Sequence, residues 1–528
     1  MQKLKTTVLI IGGGATGTGL LRDLALRGID ALLVEQKDIA YGASSRFHGL
    51  LHSGARYAVK DPSAARECIE ENLILKKIAP TCVEETGGYF VELNSDDPGF
   101  TKEWQKGCAA SGIEVQEVDP QEIKKEYPFL TSEVRRVFKV PDGTVDGFRL
   151  SWANVWQAEQ YGGRYLTYHQ VVGFLKQNGR VTAALLRSLL TGEEAVVEFS
   201  LAVNAAGAWA AEVAGLAGVR VNVLQNKGTL IAFNERFFKK VVNRLRPPSD
   251  GDIWVPHHTI TILGTTSVNV EHPQSLRPTP EEITRLLAIG QELIPQVHDF
   301  RMLRAFAGIR PLYLGSDADA KDSRSISRDF VIIDHGKNDG LEGLITLVGG
   351  KLTTYRLMAE KTGDYIGKLL GVDRKIRTSE LPLTPNLPVN EENRVVRRYT
   401  VRAADVKARA EKFPAEKQVL CECEGITVAE VKAVASFGDT HNLEDLRRKT
   451  RLGMGTCQGL NCAHRALGAA FFELKEKPQE PLMQLKEFIK NRYAGQKPVL
   501  WGEQLREAEL LAGLYGCNFS LFGGTDDV

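Results

Sequence analysis

Residues 8–35 read "VLIIGGGATGTGLLRDLALRGIDALLVE": an apolar run, a glycine turn, a helical stretch and a second apolar run that ends in an acid. Gly12, Gly14 and Gly17 fill the three glycine positions of G-x-G-x-x-G. The first allows a tight turn, the second lets backbone approach a pyrophosphate, and the third lets helix pack on strand. The helix N-terminus then directs its positive dipole end at the phosphates. Glu35 closes the second strand, where a carboxylate can hold the hydroxyls of an adenosine ribose. A glycine triplet alone marks only a tight βα turn. Flanked by strand, helix, strand and acid, it predicts a Rossmann-like βαβ unit that binds a dinucleotide, NAD or FAD.

Around this unit the chain has 528 residues, too many for one core, so two or three domains are expected. A composition of 43% hydrophobic and 25% charged residues is that of a globular protein, and a net charge of +1 leaves no electrostatic footprint for nucleic acid. The glycine-broken start is not a secretory signal, and no apolar window is long enough to span a membrane. The chain is therefore expected on the cytosolic side, where thiols stay reduced.

Two later segments narrow the cofactor. "FSLAVNAAGAWA", 199–210, is a buried strand running into a small-residue turn with Asn204, Gly207 and Trp209. "LITLVGGKLTTYRLMAE", 344–360, is a strand, a glycine pair and an amphipathic helix. A helix starting near Gly349 and Gly350 can aim its amides at the pyrimidine edge of a flavin, where negative charge collects on reduction. Two ordinary strand-to-helix turns give the same pattern.

Together with "GASSRFHGLLHSGARYA" at 42–58, "GIRPL" at 308–312, "SISRDF" at 325–330 and "GGKLTTYR" at 349–356, these segments resemble the FAD-dependent glycerol-3-phosphate dehydrogenases over roughly residues 5 to 370. Ser53 stands where that family usually has glycine. The resemblance implies a Rossmann-like FAD domain interleaved with an antiparallel-sheet substrate domain, as in D-amino-acid oxidase. It places FAD against Gly12, Gly14, Gly17, Glu35, Ser44, Ser45, Gly207, Gly349, Gly350, Leu352 and Thr353. It places glycerol 3-phosphate against Arg56, Tyr57, Arg310, Arg328 and Lys351, and several cations suit a phosphate dianion. Oxidation at C2 needs a base or a cation for the forming alkoxide. His52, four residues before Arg56, is the candidate base, with Lys351 and Arg310 as competing assignments. His48 and His52 are also spaced like helical metal ligands, but Gly49 and Gly54 argue for a loop.

The last third contains "CEC", 421–423, and "TCQGLNC", 456–462. Cys421, Cys423, Cys457 and Cys462 supply four thiolates, a set that can hold a [2Fe-2S] cluster. Structural zinc favours C-x2-C to C-x4-C knuckles at both ends, and the tight C-x-C is less usual for it. "TVAE" at 427–430 is a capping box, and a helix is expected from the last cysteine. This region resembles the [2Fe-2S] domains of the bacterioferritin-associated-ferredoxin type, a combination that points to the catalytic subunit of the anaerobic branch of the family. That branch joins a second flavoprotein subunit, with a membrane-bound iron-sulfur subunit feeding quinone, which implies peripheral attachment on the cytoplasmic face of the inner membrane. Cys68, Cys82, Cys108 and Cys517 read as ordinary small residues.

The expected organisation is an oxidoreductase unit over 1–372, a linker over 373–415, a [2Fe-2S] domain over 416–466 and a helical tail over 467–528. Two hairpin-like stretches, 180–200 and 252–268, are expected in the antiparallel sheet over the flavin. Arg447, Arg448, Lys449 and Arg451 are expected to offset an anionic cluster, meet an acidic partner, or form a solvated helix face. Competing functions are a flavin oxidase of a hydroxy acid or amine that uses oxygen, and a non-catalytic electron-relay subunit.

Overall fold

The computed structural model describes residues 2–315, 326, 329–372, 374–376, 378–384, 394–474 and 480–519. Its central layer is a six-stranded sheet of β1 (Val8–Ile11), β2 (Ala31–Val34), β3 (Arg164–Leu166), β4 (Leu201–Asn204), β5 (Phe330–Asp334) and β6 (Leu344–Gly349). The order is β3-β2-β1-β4-β6-β5, parallel throughout except for β5 against β6. The strands β1, β2 and β4 are buried on both faces, which is why each reads as an unbroken apolar run.

Successive side chains leave opposite faces of a strand. Val8 and Ile10 pack with Leu20, Leu24, Trp152, Trp156 and Ile366 under α1 (Ala15–Arg27), α2 (Gly147–Gln160) and α3 (Tyr355–Leu370). Leu9 and Ile11 pack on the other face with Val181, Ala184, Leu186 and Val197. Those residues belong to a separate four-stranded sheet, whose Arg180–Ser188 and Glu194–Glu198 strands form the expected hairpin. This corrects its placement. The hairpin backs the dinucleotide sheet, because strand Gln2–Lys5 pairs in parallel with Glu194–Glu198 and extends it there.

The second expected hairpin, Ile253–His257 with Ile260–Gly264, does lie in the nine-stranded substrate sheet. That sheet is antiparallel except where Val241–Arg244 runs beside Gly88–Leu93. Its longest pair is Val223–Phe233 with Met302–Tyr313, in register from Val223 opposite Tyr313 to Ala232 opposite Arg304, with a shift before Phe233 opposite Met302. Along Met302–Tyr313 the residues Ala305, Ala307 and Ile309 are buried, while Arg304, Phe306 and Arg310 on the other face are half-buried.

The cysteine region is a hairpin, Val419–Cys421 with Ile426–Thr427, followed by α4 (Val428–Ala435), α5 (Leu443–Thr450), α6 (Ala463–Ala470), α7 (Pro481–Gln496) and α8 (Glu503–Phe519). The capping box at Thr427 and Glu430 is present. Val396, Tyr399, Ala403 and Val406 share its core with Cys421 and Cys462. In the proline-rich stretch, Leu383 is buried, and Gln157 Nε2 donates to the Pro382 carbonyl at 2.8 Å. Residues 385–393 lie outside the described set.

The basic stretch of α5 is neither a solvated face nor a counter-charge for the cysteines. Arg448 and Lys449 are buried against the dinucleotide domain: Arg448 Nε donates to Asp38 Oδ2 at 2.6 Å, and Lys449 Nζ is 3.5 Å from Asp38 Oδ1. Arg451 reaches Glu424 at 3.1 Å and Asp146 at 3.4 Å, so it bridges the cysteine loop and the start of α2. Arg447 pairs with Glu444 of its own helix at 2.7 Å. Each buried cation has a carboxylate partner, which offsets its desolvation.

Candidate active site and cysteine centre

A cavity of about 1120 Å³ opens at the carboxyl ends of the central strands and beneath the substrate sheet. It exceeds the ~300–1,000 Å³ typical for drug-sized ligands. Gly12, Gly14, Glu35, Ser44, His52, Arg56, Tyr57, Gly207, Arg310, Gly349, Gly350, Lys351, Leu352 and Thr353 all line it. Gly17 acts from behind the wall, since a Cβ there would lie 1.9 Å from the Gly12 carbonyl oxygen. Ser45 is not on the wall either. It was expected at the cofactor, but its hydroxyl donates to the Ala40 carbonyl at 2.5 Å and shapes the loop instead. Arg328 lies outside the described residues.

The dinucleotide end is built by short-range contacts. Gly14 caps α1 without a side chain, and Ser44 Oγ accepts from the Ala15 amide at 2.8 Å. Glu35 accepts from the amides of Gly13 at 2.7 Å and Lys37 at 2.8 Å, and burial raises its carboxyl above the usual range. The glycine pair Gly349 and Gly350 has φ of +85° and +77°, a left-handed conformation that glycine accepts without strain. Helix α3 begins only at Tyr355, with a turn closed by the Thr354 amide on the Lys351 carbonyl at 3.1 Å. The helix expected at the glycine pair thus starts five residues later, and a loop carries Lys351, Leu352 and Thr353 into the cavity.

Arg310 sits inside the strand Met302–Tyr313 and is held by Asn226, Thr265 and the Thr266 carbonyl, the last at 2.9 Å. Arg56 pairs with the buried Asp252 at 3.1 Å. Lys351 Nζ stands 5.2 Å from the centre of the Tyr57 ring. The His52 amide donates to Thr353 Oγ1 at 3.2 Å, which ties the His52–Arg56 loop to the Lys351 loop.

His48 is on the cavity wall too, a position the sequence suggested only as a metal ligand. Its Nδ1 accepts the Leu50 amide at 3.1 Å, so the neutral ring keeps its proton on Nε2. Burial, with Arg310, Arg56 and His257 nearby, lowers its pKa to about 3. It is a donor there rather than a base. Beside it, His258 Nε2 is 3.0 Å from Asp146 Oδ2, the carboxylate that Arg451 also meets. The sequence signal for this contact is "HH" at 257–258, at the end of an apolar strand.

The four cysteines converge from two segments. Cys421 ends a strand, Cys423 lies in the hairpin turn, and Cys457 and Cys462 flank the loop before α6. A Cβ on Gly455 would fall 2.3 Å from Cys423 Cβ, so the segments touch. Glu422 and Arg465 pair across them at 2.8 Å. Hydrogen bonding from Cys462 lowers Cys457 to about 5 and Cys421 to about 7, with backbone amides of Gly459 and Asn461, and of Gly453 and Glu424, adding to each. Burial raises Cys423, and the proton shared with Cys421 and Cys457 raises Cys462, so the four thiols titrate as one set. Four such sulfurs, once deprotonated, suit iron.

The family model for FAD dependent oxidoreductases matches residues 7–356, and that for the BFD-like [2Fe-2S] binding domain matches residues 419–468. An anaerobic glycerol-3-phosphate dehydrogenase subunit from Escherichia coli K12 is 42% identical over 96% of both chains. The chain belongs to the FAD-dependent glycerol-3-phosphate dehydrogenase family. The like-named subunit from Haloferax volcanii is 38% identical over 96% of this chain and 90% of its own. Among solved structures, the glycerol-3-phosphate dehydrogenase of Bacillus halodurans, complexed with FAD, shares the fold with a TM-score of 0.72 at 20% identity, covering 94% of this chain and 96% of its own. Members of this family use FAD, and the second domain marks this one as a [2Fe-2S] flavoprotein. The residues fit both groups: a glycine-walled cavity of dinucleotide size, and four cysteines brought together by two touching segments.

Proposed function

We propose that this protein oxidises sn-glycerol 3-phosphate to dihydroxyacetone phosphate and delivers the electrons through its cysteine domain to partner subunits and quinone. The observation that carries this reading is the meeting of Arg56, Arg310 and Lys351 with His52 in the cavity that begins at the glycine turn. Gly12, Gly14, Glu35, Gly207 and the 349–353 loop would hold FAD, which when bound supplies the acceptor for a hydride from C2. Cys421, Cys423, Cys457 and Cys462 would ligate the cluster.

Arg56 and Lys351 bind and orient the phosphate, with Arg328 assigned there from the sequence. Arg310, fixed by Asn226 and Thr266, stabilises negative charge as it develops on the C2 oxygen. His52 takes the hydroxyl proton, and its backbone tie to Thr353 keeps it beside the Lys351 loop. The neutral His48 donates from Nε2 to the substrate. The relatives are named as single subunits of a dehydrogenase, which supports further subunits here. No described helix is long and apolar enough to cross a membrane, which supports peripheral attachment through them.

The test is an anaerobic visible spectrum of the purified protein before and after glycerol 3-phosphate, with glycerol as control. Bleaching of the flavin band by the phosphate alone is expected, over a residual iron-sulfur absorbance. A flavin left oxidised overturns the catalytic reading for the isolated chain, and peroxide formed in air would favour an oxidase.

A further inference from the structure

Two arginines meet beside the cysteine loop on a neutral partner. Arg492 of α7 and Arg304 of the strand Met302–Tyr313 both donate to Gln458 Oε1, Arg304 at 3.2 Å. Gln458 directly follows Cys457 and is buried, with its amide nitrogen on the carbonyls of Met454 and Gly455. It has no charge to offer. Among the described residues neither arginine forms an ion pair. Arg492 is 7% exposed, and its Nε has no hydrogen-bond partner. Arg304 is enclosed by α7, where a Cβ on Gly495 would lie 2.3 Å from its guanidinium.

In the same domain Arg448, Lys449 and Arg451 are given carboxylates, whereas Arg22 of α1 is held by Gln157 and the Leu381 carbonyl. A buried guanidinium and a half-buried one left without an ion pair are costly unless another anion faces them. The surroundings add cations, since Arg492 lies in the field of Arg304 and Arg447, with Glu444 the carboxylate in reach. Gln458, which both arginines share, directly follows Cys457, so a cluster on the four cysteines would be the further anion they face. Helix α7 is seated on the same loop: Phe488, one turn before Arg492, fills the space where a Cβ on Gly459 or Gly453 would stand.

We infer that Arg304 and Arg492 are the counter-charges of the iron-sulfur centre, held in place by Gln458, and that they raise its reduction potential. One electron arriving from the reduced flavin adds one negative charge to a site that four thiolates already make anionic, and the same electron leaves to the acceptor, restoring the starting charge. Cations nearby favour the reduced state. They are positioning residues, since neither lines the substrate cavity. The inference rests on the reading that the four cysteines hold the cluster.

The experiment is an EPR-monitored redox titration of the full-length protein carrying R304Q, R492Q, R304K or R492K, alongside the parent and C457S. Each glutamine variant is expected to shift the one-electron equilibrium toward the oxidised cluster by at least tenfold, about 59 mV. Each lysine variant is expected to stay within a third of that shift, and flavin bleaching by glycerol 3-phosphate should persist in all four. An unmoved potential in both cluster-bearing glutamine variants overturns the inference. If the glutamine variants lose iron, retention in the lysine variants supports a charge role, and loss in those too overturns it in favour of packing. Failure of the cysteine reading looks different: the parent would show no iron-sulfur signal, or C457S would leave the signal unchanged.

Discussion

Arg448 donates to Asp38 at 2.6 Å across 410 residues of sequence, and both side chains are buried. The pair, with Lys449 beside it, fastens the cysteine domain to the loop after β2. The substitution D38N keeps the shape and removes the charge, leaving two buried cations short of an anion. We expect it to cost about 3–5 kcal/mol, read as a lower thermal midpoint and faster proteolysis between the two domains. An unchanged midpoint would mean that water or Asp445 compensates Arg448 fully.

Replacing Arg310 by methionine removes the cavity cation held by Asn226 and Thr266. A hydrogen bond to a charged group contributes about 1.5–3 kcal/mol, so kcat/KM for glycerol 3-phosphate should fall about ten- to a hundred-and-fifty-fold. If Arg310 stabilises the transition state, kcat falls with it. A change confined to KM would assign it to phosphate binding alone.

Gly17 is tested by G17A. The added methyl meets the Gly12 carbonyl at 1.9 Å, so the glycine turn must open to admit it. Overpacking of this kind costs about 1–3 kcal/mol, and FAD affinity should drop about five- to a hundred-and-fifty-fold, measured as flavin released on gel filtration. Full retention would show that the turn yields at no cost.

Acid stability follows from two histidines, one on the cavity wall and one behind it. Burial holds His48 at about 3 and His257 at about 4, below the ordinary value of 6.5. Above pH 6.5 neither state is protonated at these sites and their contribution is whole. As pH falls from about 6.5 toward 4, the unfolded chain takes up protons that the folded one refuses, and stability declines. The slope is about 1.4 kcal/mol per pH unit for each proton. Urea midpoints at pH 7 and pH 5 should therefore differ, and H257N should flatten the difference. Equal midpoints would mean that these rings protonate in the fold.

The dinucleotide unit was legible because its determinants are local: three glycines, an apolar run on each side and an acid lie within twenty-eight residues. The cysteine centre was legible because thiolate chemistry is specific. What the sequence hid is pairing at long range. The hairpin 180–198 alternates like any half-buried hairpin, and only its partner Gln2–Lys5 decides which sheet it joins. "RRKTR" looks like a solvated face, since hydropathy cannot tell a solvated cation from one whose carboxylate comes from residue 38 or 146. Ser45 shared the cofactor motif with Ser44, yet a single turn of backbone sends its hydroxyl to Ala40.

The strand Met302–Tyr313 bears Arg304 at one end and Arg310 near the other, six residues apart and on one face. At about 3.4 Å per residue their Cα atoms are roughly 20 Å apart. Between them the ladder to Val223–Phe233 is unbroken, from Ala232 opposite Arg304 to Asn226 opposite Arg310. This strand is a ruler. The cavity wall at Arg310 and the cysteine loop that Arg304 meets are held apart by one continuous strand rather than by loops.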